Sequence, residues 1–267
     1  MKKGIVFDCV PTTKGTGTPL SAEDRLRLVK DAGFEGIEIP TMDDLGECER
    51  LAAQARDIGL EIHSVMASGH WQWPLSSPDE ETRAKGVANI RQSVDTAKVS
   101  GADTVLVVPG VVNESTPYEL AWDISLKSMR ELAPYAEQQG ICLAVENVWN
   151  KFLLSPREFL EFIDACQSSA VAAYFDVGNI LFYGYPDQWI RSLGSKLQKI
   201  HLKDFDTASC TFKNLLQGNV PWTRVRQALL DVGYTGYCSV ELGPYNVYPD
   251  QFIYDCARQV ERIFNGE

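Results

Sequence analysis

The sequence predicts a closed (β/α)8 barrel, the TIM-barrel architecture, as a single domain over residues 1–267. Three observations lead there. Eight apolar runs of strand length recur along the chain, each followed by a helical pattern or by room for one. The runs are mostly continuous rather than alternating, as expected of strands covered on both faces. Strict β/α alternation implies a parallel sheet with right-handed crossovers, and eight units in 267 residues suit a closed barrel. An open, doubly wound sheet satisfies the same alternation and stands as the alternative.

Residues 4–10 read as the first strand, followed by a turn-rich loop over 11–19. The loop's Lys14-Gly15-Thr16-Gly17-Thr18 matches neither the Walker nor the dinucleotide spacing and reads as surface. Ser21 with Asp24 three residues on has the form of a capping box, and Gly33 ends the helix that follows. The second strand is 36–40, with a helix over 44–58 stopped by Gly59; the third is 60–67, followed by an aromatic loop over 68–78. A long helix over 79–100 ends at Gly101, strand four is 104–109, and a helix over 118–139 ends at Gly140. Strand five is 141–147. Pro156 after Ser155 opens a helix running to about Cys166, since proline is well placed in a first turn. Strand six (171–177), a short helix (186–195), strand seven (197–203), a helix (222–232), strand eight (237–242) and a last helix (250–264) complete the pattern.

Composition narrows the function. Lys and Arg number 25 against 36 Asp and Glu, a net charge of −11. With no basic run, the chain lacks the phosphate neutralisation that nucleic-acid binding rests on, and an anionic membrane surface is disfavoured for the same reason. The seven cysteines are odd in number and contain no CxxC pair. They read as reduced, mostly core residues of a cytoplasmic protein. The N-terminal apolar run stops at Asp8, too short for a signal peptide, and no later run is long enough for a bilayer span.

Strand five ends in Glu146, and an unpartnered carboxylate in an apolar setting is costly. Strand six ends in Asp176, strand seven carries His201 and strand eight delivers Glu241. Each lies about one βα unit from the next, so adjacent staves would carry them to the C-terminal rim, where barrel chemistry sits. Like charges gathered there need a cation. Three carboxylates and an imidazole suit Mn²⁺ or Mg²⁺ first, then Co²⁺, Fe²⁺ or Zn²⁺.

The stretches Val145-Glu146-Asn147, Tyr174-Phe175-Asp176-Val177-Gly178-Asn179, Lys199-Ile200-His201-Leu202-Lys203-Asp204 and Val240-Glu241 resemble the xylose-isomerase-like barrels of the sugar phosphate isomerase/epimerase family, related to the ketose 3-epimerases. Ile62-His63-Ser64-Val65 and Gly218-Asn219-Val220-Pro221-Trp222 add to the likeness, which covers nearly the whole chain. The resemblance implies one divalent metal on Glu146, Asp176, His201 and Glu241, with Glu146 and Glu241 also the acid/base pair. The expected reaction is proton transfer next to a carbonyl through an enediolate held on that metal, in a small sugar or keto-polyol. Return of the proton to the same carbon inverts it; return to the neighbour isomerises aldose and ketose. An inosose-type dehydratase and a non-catalytic sugar-binding barrel are the alternatives.

The chain departs from the free-ketose enzymes at Leu153, which stands for a carboxylate, at Asn179, which stands for a histidine, and over 206–212, which lacks an arginine. The three histidines, His63, His70 and His201, are too few for the three-metal cluster of the related apurinic endonucleases. His63, placed at the end of strand three, Asn179, Lys203 and the loop residue Trp71 are the candidate substrate contacts; each also has a plain structural reading. A homo-oligomer is compatible with the sequence.

Overall fold

The computed structural model describes residues 1–266. Its eight parallel strands are β1 (Lys2–Val6), β2 (Gly36–Pro40), β3 (Glu61–Met66), β4 (Thr104–Val107), β5 (Cys142–Glu146), β6 (Val171–Asp176), β7 (Leu197–Leu202) and β8 (Tyr237–Val240). Each pairs with its sequence neighbour, and β1 pairs with both β2 and β8, so the barrel closes and the open-sheet alternative falls. The outer helices are α1 (Ala22–Asp31), α2 (Leu45–Asp57), α3 (Glu80–Ser100), α4 (Tyr118–Gln139), α5 (Pro156–Ala165), α6 (Pro186–Leu193), α7 (Trp222–Asp231) and α8 (Gln251–Asn265).

Local chemistry sets these boundaries. Ser21 and Asp24 form the expected capping box of α1, and Ser155 with Glu158 forms another on α5. Gly101 and Gly140 stop α3 and α4 at φ of 85° and 72°, a left-handed conformation that glycine adopts at no steric cost.

The first strand is shorter than its apolar run. It ends at Val6, and Phe7–Cys9 winds into a 3-10 turn. The turned carbonyls of Phe7 and Val10 both accept from the Arg25 guanidinium, which holds the chain off the barrel axis. The 11–19 loop closes as a small ribbon, Thr13–Lys14 against Thr18–Pro19, tied down by the Gly15 N–H donating to Asp250.

Strand parity decides what faces the barrel axis, because alternate side chains point to opposite faces. Ile37 and Ile39, Leu143 and Val145, Ala173 and Phe175, Ile200 and Leu202, Cys238 and Val240 pack outward under the helices in the main core. The opposite parity points inward: Glu38, Ala144 and Glu146, Tyr174 and Asp176, Lys199 and His201, Ser239 and Glu241. No helix among the described residues is long and apolar enough to cross a membrane. All seven cysteines are free, but Cys210 is exposed rather than part of the core.

Candidate active site

Glu146 and Asp176 are the last residues of β5 and β6, His201 is the penultimate residue of β7, and Glu241 directly follows β8. Asp176 and His201 are register partners, and the Glu241 N–H donates to the Leu202 carbonyl, extending the ladder by one step. Closure brings the four side chains together at the C-terminal mouth, with one ligand-type atom from each within 4.8 Å of all the others. His201 Nδ1 lies 3.1 Å from Glu146 Oε1, 2.8 Å from Glu241 Oε2 and 4.0 Å from Asp176 Oδ2. Lys203, two residues on and so on the same face, sets its Nζ 2.7 Å from Glu241 Oε2 and 3.2 Å from Asp176 Oδ2.

Asn147 locks Asp176 in place. It accepts from the Asp176 N–H at 2.7 Å and donates to the Asp176 carbonyl at 2.8 Å. The Asn179 N–H then donates to Asp176 Oδ1 at 2.6 Å. Asp176 Oδ2 is left buried with no hydrogen-bond donor, and Glu241 Oε2 has no aligned donor either, despite the nearby cations. These two oxygens converge on one point, held there by ionic contacts with Lys203 and, for Glu241, His201, and carboxylate oxygens gathered in this way fit a divalent cation.

Charges in the cluster are strongly interdependent. Burial pushes the Glu146 carboxyl up to about 7, against the opposing pull of His201. Burial pushes Glu241 the same way, but the His201 and Lys203 charges outweigh it and hold it at about 2. Asp176 is raised by burial in spite of Lys203. Burial acts to lower His201, yet Glu241 and Glu38 hold it well above the ordinary histidine range. An imidazole nitrogen and three carboxylates are what a hard-to-borderline divalent ion takes, so the donor set fits such an ion.

The other predicted contacts divide. Lys203 stands within the cluster. Asn179 is buried: its side chain donates to the Asn147 carbonyl at 3.0 Å, and its own carbonyl accepts from Trp149 Nε1, so it braces Asp176 instead of opening to the mouth. Trp71 is 56% exposed on its loop and lies edge-on to His70. His63 is corrected in position. It lies in the middle of β3, not at its end, because the strand continues to Met66. The ring is buried in the barrel, stacked on Tyr237 at 4.1 Å and 2.9 Å from Ser239 Oγ, below the mouth.

Two features escaped the sequence reading. Glu38, on β2, is wholly buried (0% exposed) and lies 2.9 Å from His201 Nε2. Its signal was present: a lone acid between Ile37 and Ile39 poses the same desolvation problem as Glu146. The second is an aromatic group beside the mouth. Trp149 stacks on Phe212 at 5.0 Å and touches Phe182 and Phe205, while Lys203 Nζ sits 5.4 Å from the Phe212 ring centroid. These rings come from three different loops, and nothing local in the sequence joins them.

A family model described as xylose isomerase-like TIM barrel matches residues 26–256. Fructoselysine 3-epimerase of Escherichia coli O157:H7 is 27% identical over 253 residues, spanning 84% of this chain and 86% of its own length. L-ribulose-5-phosphate 3-epimerase UlaE of Salmonella paratyphi A is 25% identical over 236 residues, spanning 82% and 81%. Among solved structures, D-psicose 3-epimerase of Clostridium cellulolyticum H10 with D-tagatose is alike in fold, with a TM-score of 0.79 at 19% identity over 100% of this chain and 98% of that one. Since the family model spans well over half of the chain, from within α1 to within α8, the chain belongs to the xylose isomerase-like TIM barrel family.

Proposed function

We propose that this sugar isomerase/epimerase inverts the carbon next to the carbonyl of a ketose, as a 3-epimerase, with Glu146 and Glu241 as its acid/base pair. The observation that carries the reading is the delivery of these two carboxylates from β5 and from the end of β8, three staves apart, onto one point also reached by Asp176 and His201. Glu146, Asp176, His201 and Glu241 would hold the divalent metal, Mn²⁺ by preference. When bound, that ion polarises a substrate carbonyl and stabilises charge developing on its oxygen.

The rest falls to the side chains. One glutamate takes the C–H proton adjacent to the carbonyl, and the bonding pair moves into an enediolate. The other glutamate, protonated, gives its proton to the opposite face of that carbon, so the centre inverts and no atom is gained or lost. Lys203 steadies Asp176 and Glu241 so that neither swings from the reacting carbon. Being committed to two carboxylates, Lys203 is no free phosphate anchor, which favours an unphosphorylated substrate. The named 3-epimerase relatives support position 3 as the reacting carbon.

The test is incubation with Mn²⁺ in D₂O of fructoselysine, free ketoses and ketose phosphates, read by mass spectrometry and NMR. The expected product keeps the substrate's formula and carries one deuterium beside the carbonyl; chelation stops its formation and Mn²⁺ restores it. An unlabelled product, or one lighter by a molecule of water, refutes the proposal.

A further inference from the structure

Glu38 lies on the far side of His201 from the carboxylate cluster. Its Oε1 is 2.9 Å from His201 Nε2. Its Oε2 accepts from the Tyr174 hydroxyl at 2.6 Å and from the Ser64 hydroxyl. These partners come from β2, β3, β6 and β7, and all four are buried. Tyr174 also lies against the imidazole, ring centroids 4.4 Å apart, on the same inward-facing parity of β6 as Asp176. So the ring of His201 is held at one nitrogen by a carboxylate and braced on one face by the residue that orients that carboxylate.

We infer that Glu38 is a positioning residue for the metal ligand His201, fixing the tautomer and ring orientation that present Nδ1 to the site. Tyr174 and Ser64 both spend their protons on Glu38, so the hydrogen between Glu38 and His201 is the one on Nε2. That leaves Nδ1, which faces Glu146 and Glu241, as the coordinating atom. A half-turn of the ring would aim carbon at Glu38 and strand a buried charge, so the clamp excludes the flipped rotamer. Outer hydrogen-bond partners of this kind typically change metal affinity about 10- to 100-fold when removed.

The inference rests on the metal reading of the cluster, and its test separates the two. Chelator-stripped wild type, Glu38→Ala, Glu38→Gln and Tyr174→Phe are titrated with Mn²⁺ by calorimetry, and the protonation of the His201 ring is followed by ¹⁵N NMR with Zn²⁺ as the diamagnetic probe. Glu38→Ala is expected to bind Mn²⁺ about 10- to 100-fold more weakly, with a mixed tautomer signal. Glu38→Gln keeps an acceptor for Nε2–H and is expected to recover most of that loss; Tyr174→Phe should fall between wild type and Glu38→Ala. Wild-type affinity in Glu38→Ala, with a single unchanged ring signal, overturns the inference and leaves the metal site standing. Should Glu38→Ala not fold, wild-type affinity together with a single unchanged ring signal in Tyr174→Phe overturns it equally. A wild-type protein that takes up no Mn²⁺ overturns the metal reading and this inference with it.

Discussion

Replacing Lys203 by Met removes one cation from a site crowded with carboxylates while keeping most of the aliphatic stem. The ammonium is 3.2 Å from Asp176 and 2.7 Å from Glu241, and both acids are mostly buried. At an effective dielectric of about 20, those separations correspond to gross attractions of roughly 5 and 6 kcal/mol. Much of that is offset by the cost of desolvating the ammonium, and what the substitution exposes is the stranded charge: removing one partner of a buried pair costs about 3–5 kcal/mol. Lys203→Met is therefore expected to lose about that much stability in the metal-free protein. With Mn²⁺ saturating, the carboxylates keep a counter-charge and the loss should shrink to less than half. Urea unfolding followed by tryptophan fluorescence, in chelator and in Mn²⁺, measures both values. A loss below about 1 kcal/mol in chelator, the range of an exposed ion pair, would refute the buried-charge argument. An equal loss in both media would refute the claim that metal and lysine serve the same oxygens.

Glu146→Gln and Glu241→Gln, each measured at saturating Mn²⁺, should slow deuterium incorporation by at least about 10²- to 10⁴-fold, as expected for lost proton-transfer groups; a rate near wild type would rule that role out. His63 is held well below 6.5, chiefly by burial and further by Lys199 and His201, so it is neutral in the fold but takes a proton on unfolding in mild acid. Its contribution is full above about pH 6.5 and fades as the pH drops below it, by up to about 1.4 kcal/mol per pH unit. Unfolding free energies of wild type and His63→Gln between about pH 7.5 and 5 should diverge in that window, and parallel curves would contradict the assignment. Asp204 accepts from the Phe205 and Val220 N–H groups and from Trp222 Nε1 at 2.9, 3.1 and 3.0 Å. Asp204→Ala strands all three donors and should cost about 3 kcal/mol or more in the same unfolding assay; a loss within about 0.5 kcal/mol, typical of surface changes, would show the loop is held otherwise.

The motif Gly218–Trp222 gains its meaning from that carboxylate. A Cβ on Gly218 would fall 2.3 Å from Asp204 Oδ1 and 2.6 Å from the Phe205 carbonyl, so the loop passes there only as glycine. The sequence showed the motif; the reason for it lay in a contact with the strand end that carries Lys203.

What the sequence by itself determined is the order of elements and the four residues that the barrel gathers at its mouth. Helix boundaries were legible because caps, glycines and prolines act within a few residues: Asp44 caps α2, and Tyr118–Gln139 is helical as its pattern predicts. The four residues were legible because a charged residue at the end of an apolar run is costly without a partner, wherever that partner lies. Tertiary structure decided the rest. Which parity of each strand turns inward is set by ring closure, and that is what puts Glu38 beside His201 and sets His63, in the middle of β3, against Tyr237 and Ser239 below the mouth. Glu38 and His201 are 163 residues apart and meet only because the sheet closes on itself, as do Trp149 and Phe212 across two loops. Contacts of that kind depend on ring closure, which no local pattern encodes.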